Sequence, residues 1–264
     1  MKKTLLGLML LSAPLALADF TTVRITDFTG SYDKPDGRAT ASELIIPTQN
    51  KSKIEVTLQG DEKGYLLSFN NREYYFENPP AIINDIYTGN WKDLNYVTSG
   101  RRLSASIGTF NSVVEYSDTA LRGLNVNCSK ARMFENYGHQ VLDACLTNSK
   151  VNLTYFKTSS SRKILNILEE LPGVRASTTV VKNGTITISN KSFNMVAEVD
   201  IGMNAKVKIE GKTEFEDDKK RVSIRIDKAK ASFLNIKNKI FDELKKSESD
   251  TFRVQKPYLY IMLK

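Results

Sequence analysis

The stretch Lys53-Ile54-Glu55-Val56-Thr57-Leu58 alternates without a break, placing Ile54, Val56 and Leu58 on one face of a strand and polar residues on the other. This period of two recurs along most of the chain and restricts the fold more than any other feature. Gly64-Tyr65-Leu66-Leu67-Ser68-Phe69 and Glu73-Tyr74-Tyr75-Phe76 flank Asn70-Asn71, a pair suited to a hairpin turn because asparagine tolerates left-handed backbone angles. Leu103, Ala105 and Ile107 alternate with polar or small residues; Val113-Val114, Leu124-Asn125-Val126 and Val151-Asn152-Leu153-Thr154-Tyr155 continue the pattern. In the second half, Val180-Val181-Lys182 and Thr185-Ile186-Thr187-Ile188 bracket Asn183-Gly184, the dipeptide best suited to a type I′ hairpin turn. Met195 to Ile201 and Ala205 to Ile209 make one long alternating run with Gly202 inside it, where a bulge or bend is expected. Val222, Ile224 and Ile226 form a further strand after the charged turn Glu216-Asp217-Asp218-Lys219-Lys220.

Three stretches carry the helical period instead. Pro79 and Pro80 suit the first turn of a helix through Ile82, Ile83 and Ile86. Ser160-Ser161 can cap a second, with Ile164, Leu165, Leu168 and Leu171 on one face and a stop at Pro172-Gly173. Asn235 can cap a third, which sets Ile236, Ile240, Phe241 and Leu244 opposite Lys237, Lys239, Lys245 and Lys246. The expected fold is α+β: a predominantly antiparallel, strongly curved sheet with two to three amphipathic helices packed on its concave face.

Residues 1–18 read as a signal peptide, with Lys2 and Lys3 ahead of an apolar run and Ala16-Leu17-Ala18 at the cleavage point. The expected location is therefore the periplasm or cell envelope of a bacterium, with no transmembrane segment in the mature chain. Residues 19–158 carry a net charge of −1 and residues 159–264 a net charge of +7, and the serine-rich stretch from Thr158 to Arg162 lies where the balance changes. Those ranges are expected to form an N-terminal β-rich subdomain and a C-terminal helix-plus-sheet subdomain, although one sheet with a loop there fits equally. A basic half in a secreted protein suits lipid head groups or acidic polymers. Cys128 and Cys145, the two cysteines, are expected to form a disulfide. Closing that loop is worth about 3 kcal/mol on the chain-entropy argument.

Catalytic patterns are scarce. His139 is the only histidine, and no Gly-x-Ser-x-Gly turn presents a serine to it. Glu169-Glu170 and Asp217-Asp218 read as solvated charge at a helix end and in a turn. No phosphate-binding glycine loop, metal-ligand set or cofactor motif is present, and no basic stripe interleaved with stacking aromatics suggests nucleic acid.

The last strand, Tyr258 to Leu263, is apolar at consecutive positions and follows the amphipathic stretch from Asn235. It suits a central strand between two layers, the wall of a lipid cavity, or a membrane-facing barrel strand. The order from Ser160 to Lys264 (helix ILNILEELPG, hairpin VVKNGTITI, long strands, helix IKNKIFDELKK, strand PYLYIML) resembles secreted bacterial domains of the TULIP lipid-binding superfamily. That resemblance implies acyl chains held between helix and curved sheet. Leu168, Leu171, Ile240, Leu244, Tyr258 and Tyr260 would line the site, and Lys237, Lys239, Lys245 and Lys246 would meet head groups. The expected function is non-catalytic binding of lipid or an anionic envelope component, with an outer-membrane or periplasmic protein as a further partner. A structural or adhesive envelope module and a two-carboxylate hydrolase are the alternatives.

Overall fold

The computed structural model describes residues 22–46, 49–61, 64–69, 72–76, 86–114, 117–130, 137–159, 178–200, 204–246 and 248–263. The strands are β1 (Thr22–Asp33), β2 (Asp36–Ile46), β3 (Gln49–Gly60), β4 (Tyr65–Phe69), β5 (Arg72–Phe76), β6 (Ile86–Ser99), β7 (Arg102–Val114) and β8 (Ser117–Ser129). There follow β9 (Ser149–Ser159), β10 (Thr178–Ser189), β11 (Ser192–Asp200), β12 (Asn204–Glu216), β13 (Arg221–Ala231), β14 (Leu234–Asn235), β15 (Phe252–Gln255) and β16 (Tyr258–Met262). Two helices interrupt them, α1 (Tyr137–Thr147) and α2 (Lys237–Lys245).

All sixteen strands belong to one antiparallel sheet, in the order β15-β16-β13-β12-β11-β10-β9-β8-β7-β6-β1-β2-β3-β4-β5, with β14 paired to β13. The path is a meander with two departures: β6 comes back to the free side of β1, and β16 pairs with β13 so that β15 lies outside it. The expected α+β fold with helices layered on a concave face is therefore overturned: the molecule is mostly one sheet, and the described residues hold only two short helices. The physical reason is that long strands satisfy their backbone groups laterally, so each added strand extends the sheet without needing a helical layer. The expected helices over 79–86 and 160–171 fall outside the described residues, except that Ile86 opens β6. The expected boundary near residue 158 is crossed by the sheet, since β9 and β10 pair from Ser159↔Thr178 to Ser149↔Ile188.

The sheet has one apolar side, and β11 shows how it is made. Phe193, Met195, Ala197 and Val199 share a face of this regular strand. In β10 the apolar positions change parity, from Val181 to Ile186 and Ile188. Val181 pairs with Val199, Ile186 with Met195 and Ile188 with Phe193, with a one-residue register shift between. Both halves of β10 thus face the same way, and the shift is absorbed at Asn183, whose φ is 51°. The residues expected to form a hairpin turn form a bulge inside one strand instead. Conversely, the run expected to bend at Gly202 is two strands, β11 and β12, paired up to Asp200↔Asn204.

The same change of parity crosses the neighbouring strands in a line. Lys53 in β3, Asp27 in β1, Asp93 in β6 and Gly123 in β8 all have positive φ. Ladder pairs are missing beside each of them. Apolar positions slip from Trp91 to Tyr96 in β6, from Ala105 to Phe110 in β7, from Leu121 to Val126 in β8 and from Val151 to Phe156 in β9. Gly123 needs to be glycine twice over: its φ is 61°, and a Cβ there would collide with Thr154 Oγ1. On β1 and β2, Ser42 Oγ donates to Asp27 Oδ2 at 3.0 Å, and Asp27 N donates to Asn95 Oδ1 at 2.9 Å, which satisfies groups the bulges leave unpaired.

Each helix seals part of the apolar side. Val141, Ala144 and Cys145 of α1 pack over Leu103, Ala105, Val126 and Cys128. The expected disulfide joins Cys128 to Cys145, and Thr213 Oγ1 donates to Leu146 O at 2.7 Å. The sequence stretch that forms α1 was not expected to be helical. α2 starts where expected, with Asn235 Oδ1 accepting from Lys237 N at 3.0 Å. Its Ile240, Phe241 and Leu244 pack on Ile226, Ala229, Val254 and Leu259, and Phe241 is fully buried.

Candidate functional site

The residues expected to line a lipid site are divided by the sheet. Ile240 and Leu244 belong to the cluster on the apolar side, where α2 meets the strands directly. Cross-strand pairs put Leu259 and Ile261 on that same side, opposite Ile224 and Val222. Tyr258 and Tyr260 stand on the other side, opposite Arg225 and Ser223. Leu168 and Leu171 lie outside the described residues. Among the expected head-group lysines, Lys237 Nζ donates to the Asp227 carbonyl at 3.1 Å, Lys239 and Lys246 have partners of their own, and Lys245 closes the last turn of α2.

The terminal strand is therefore greasy on one side and amphipathic on the other. The rings of Tyr258 and Tyr260 stack in parallel at 5.8 Å, and the Arg221 guanidinium lies over Tyr260 at 4.0 Å. Arg221 and Lys219 both donate to Glu216 Oε2 at 2.8 Å. The Arg221 bond first, then the Lys219 bond, hold the Glu216 carboxyl down at about 2. This cluster is internally satisfied and leaves no group poised for proton transfer.

A second apolar surface was not foreseen. Trp91, Phe110, Leu121, Phe156, Val181, Val199 and Ala205 are successive cross-strand partners from β6 to β12. They lie beyond the bulge line, towards the end of the sheet away from α1. All seven are only partly buried, and neither hydrophobic cluster includes them. Seven strands about 4.8 Å apart make the row about 29 Å long. Trp91 anchors one end: it tilts against Phe28 with ring centroids 5.6 Å apart, and it fits because residue 30 is glycine, where a Cβ would stand 2.5 Å from Trp91 Cζ2. Its indole Nε1 is buried and has no hydrogen-bond partner among the described residues. A buried donor left unpaired costs about 1–3 kcal/mol. The sequence signal for this row is the parity slip itself, which segment-by-segment reading does not connect.

On the polar side, an open cleft of about 240 Å³ is lined by Asn90, Asn111, Asp118 and Lys157 among others. Asn111 Nδ2 donates to Asn90 Oδ1 at 2.9 Å. The cleft holds one carboxylate and one ammonium, with no thiol or imidazole beside them. Among the described residues, no group of three or more His, Cys, Asp or Glu is arranged to hold a metal ion, and no helix is long and apolar enough to cross a membrane. No protein-family model, curated protein or solved structure matches the chain.

Proposed function

We propose that this is a non-catalytic protein of the bacterial cell envelope that holds acyl chains of lipid or lipid-bearing components against the apolar side of its sheet. The row from Trp91 to Ala205 carries the reading. It is continuous over seven strands, apolar at every position and outside both sealed clusters. Its length of about 29 Å compares with a bilayer hydrocarbon core of about 30 Å, so it exceeds one acyl chain of a single leaflet. Covering such a row gains about 25 cal/mol for each Å² of apolar surface, several kcal/mol for one chain before association costs. The disulfide suits an oxidising compartment, which supports the envelope location.

Trp91 is the only tryptophan, so the site carries its own reporter. Titration with a brominated fatty acid is expected to quench its fluorescence saturably. Phe156→Asp, in the middle of the row, is expected to abolish that quenching. Lipid extraction and mass spectrometry of the purified protein should recover acyl chains from the wild type and not from the variant. Absence of quenching at saturating ligand, together with empty extracts, would sink the reading in favour of a structural envelope module.

A further inference from the structure

Outside the apolar row, the turn between β13 and β14 carries exposed apolar side chains. Phe233 is 88% exposed there and Leu234 44%, side by side at a tip that two backbone bonds hold in shape: Ser232 N donates to Lys206 O at 2.8 Å, and Ile236 N to Ala229 O at 3.0 Å. Ser232 itself is in the left-handed region, with a φ of 53°. An aromatic and a leucine presented on a fixed turn, in a chain with so much buried apolar surface elsewhere, are not explained by packing.

The charges around the tip are mostly basic. Lys208 and Lys230 sit directly opposite each other on the polar side of β12 and β13, both exposed. Like charges in that position destabilise a sheet. Lys206, two residues before Lys208 on the same face, is exposed, and Lys237 opens α2 on the other side of the tip. The local carboxylates have partners: Glu210 is with Lys228 at 3.2 Å, Asp227 with Arg225 at 2.8 Å, and Glu198, opposite Lys206, accepts from Asn183 Nδ2 at 3.1 Å. What remains is an apolar point in a cationic collar.

We infer that this turn docks on the surface of an anionic bilayer, with Phe233 and Leu234 entering the interface and Lys206, Lys208 and Lys230 facing lipid phosphates. Charge complementarity and the amphipathic tip favour a lipid surface over a protein partner, whose interface would cover the lysines with paired carboxylates. The inference stands apart from the acyl-chain reading, although the turn adjoins the Ala205 end of the apolar row through Lys206.

The test is flotation of the mature chain with vesicles of phosphatidylcholine alone and of phosphatidylcholine mixed with phosphatidylglycerol. The wild type is expected to float with the anionic vesicles, and less so as salt is raised. Lys208→Gln with Lys230→Gln is expected to weaken binding about fivefold for each charge removed. Phe233→Ser with Leu234→Ser should weaken it about tenfold or more, with circular dichroism and melting point unchanged because both side chains are exposed. Wild-type protein that ignores anionic vesicles, or a Phe233→Ser, Leu234→Ser variant that binds them as well as wild type, overturns the inference. So does loss of an envelope-protein contact in that variant with vesicle binding intact. Quenching of Trp91 by brominated acyl chains without flotation would leave the ligand reading standing and remove this one.

Discussion

Glu216 shows how much a single side chain can tie together at the end of the sheet. It bridges Lys219 in the turn and Arg221 in β13, and Arg221 in turn caps Tyr260 of the last strand. Its carboxyl is held at about 2, against an ordinary 4.5, first by the Arg221 hydrogen bond. A depressed carboxylate stabilises the fold above its unfolded value and loses that contribution as pH falls towards its folded value. The stability difference between wild type and Glu216→Gln is therefore expected to be constant above pH 5 and to vanish as pH falls from about 4.5 to about 2. Because the partners are partly exposed, its plateau should be about 1 kcal/mol. Urea unfolding at neutral pH and near pH 2.5 measures it; a difference that persists at the lower pH would mean the pair is not the cause.

At the scale of elements, one local signal served two ends. Asn183-Gly184 and Gly202 both offer left-handed backbone in the sequence; the chain uses the first to kink a strand, and Gly202 falls outside the described residues, between β11 and β12. A left-handed residue relieves a turn and a bulge equally, so its choice depends on which strands lie alongside. α1 was hidden for a related reason. Its apolar residues Val141, Ala144 and Cys145 are few, and its place is set by the sheet beneath and by Cys128. Replacing both cysteines with serine is expected to cost about 3 kcal/mol in a denaturant titration. It should also raise hydrogen exchange in α1 before that in β7 and β8. Uniform protection across all three would show that α1 does not depend on the bond.

At the scale of the whole molecule, one sheet carries every described strand, so its ends govern how it associates. β16 lies between β13 and β15, and these last two strands give α2 half of its platform through Leu259 of β16 and Val254 of β15. Ending the chain before residue 252 is expected to unseat α2, uncover Ile226 and leave β13 as a long open edge. Light scattering should then report more association than the full chain shows, and a truncation no more associated than the full chain would show that α2 holds without its last two strands. The alternating residues alone determined that this chain is rich in β-strand, and the two cysteines determined their own pairing, because the first follows from near neighbours along the chain and the second from the lack of any other partner. The capped start of α2 was equally local. Whether helices form a layer, whether an asparagine-glycine pair turns or kinks, and which greasy residues share a face were decided only by tertiary structure. Each depends on the register between strands far apart in the chain, as when β6 returns to β1 and the slipped parity of one strand finds its match in the next.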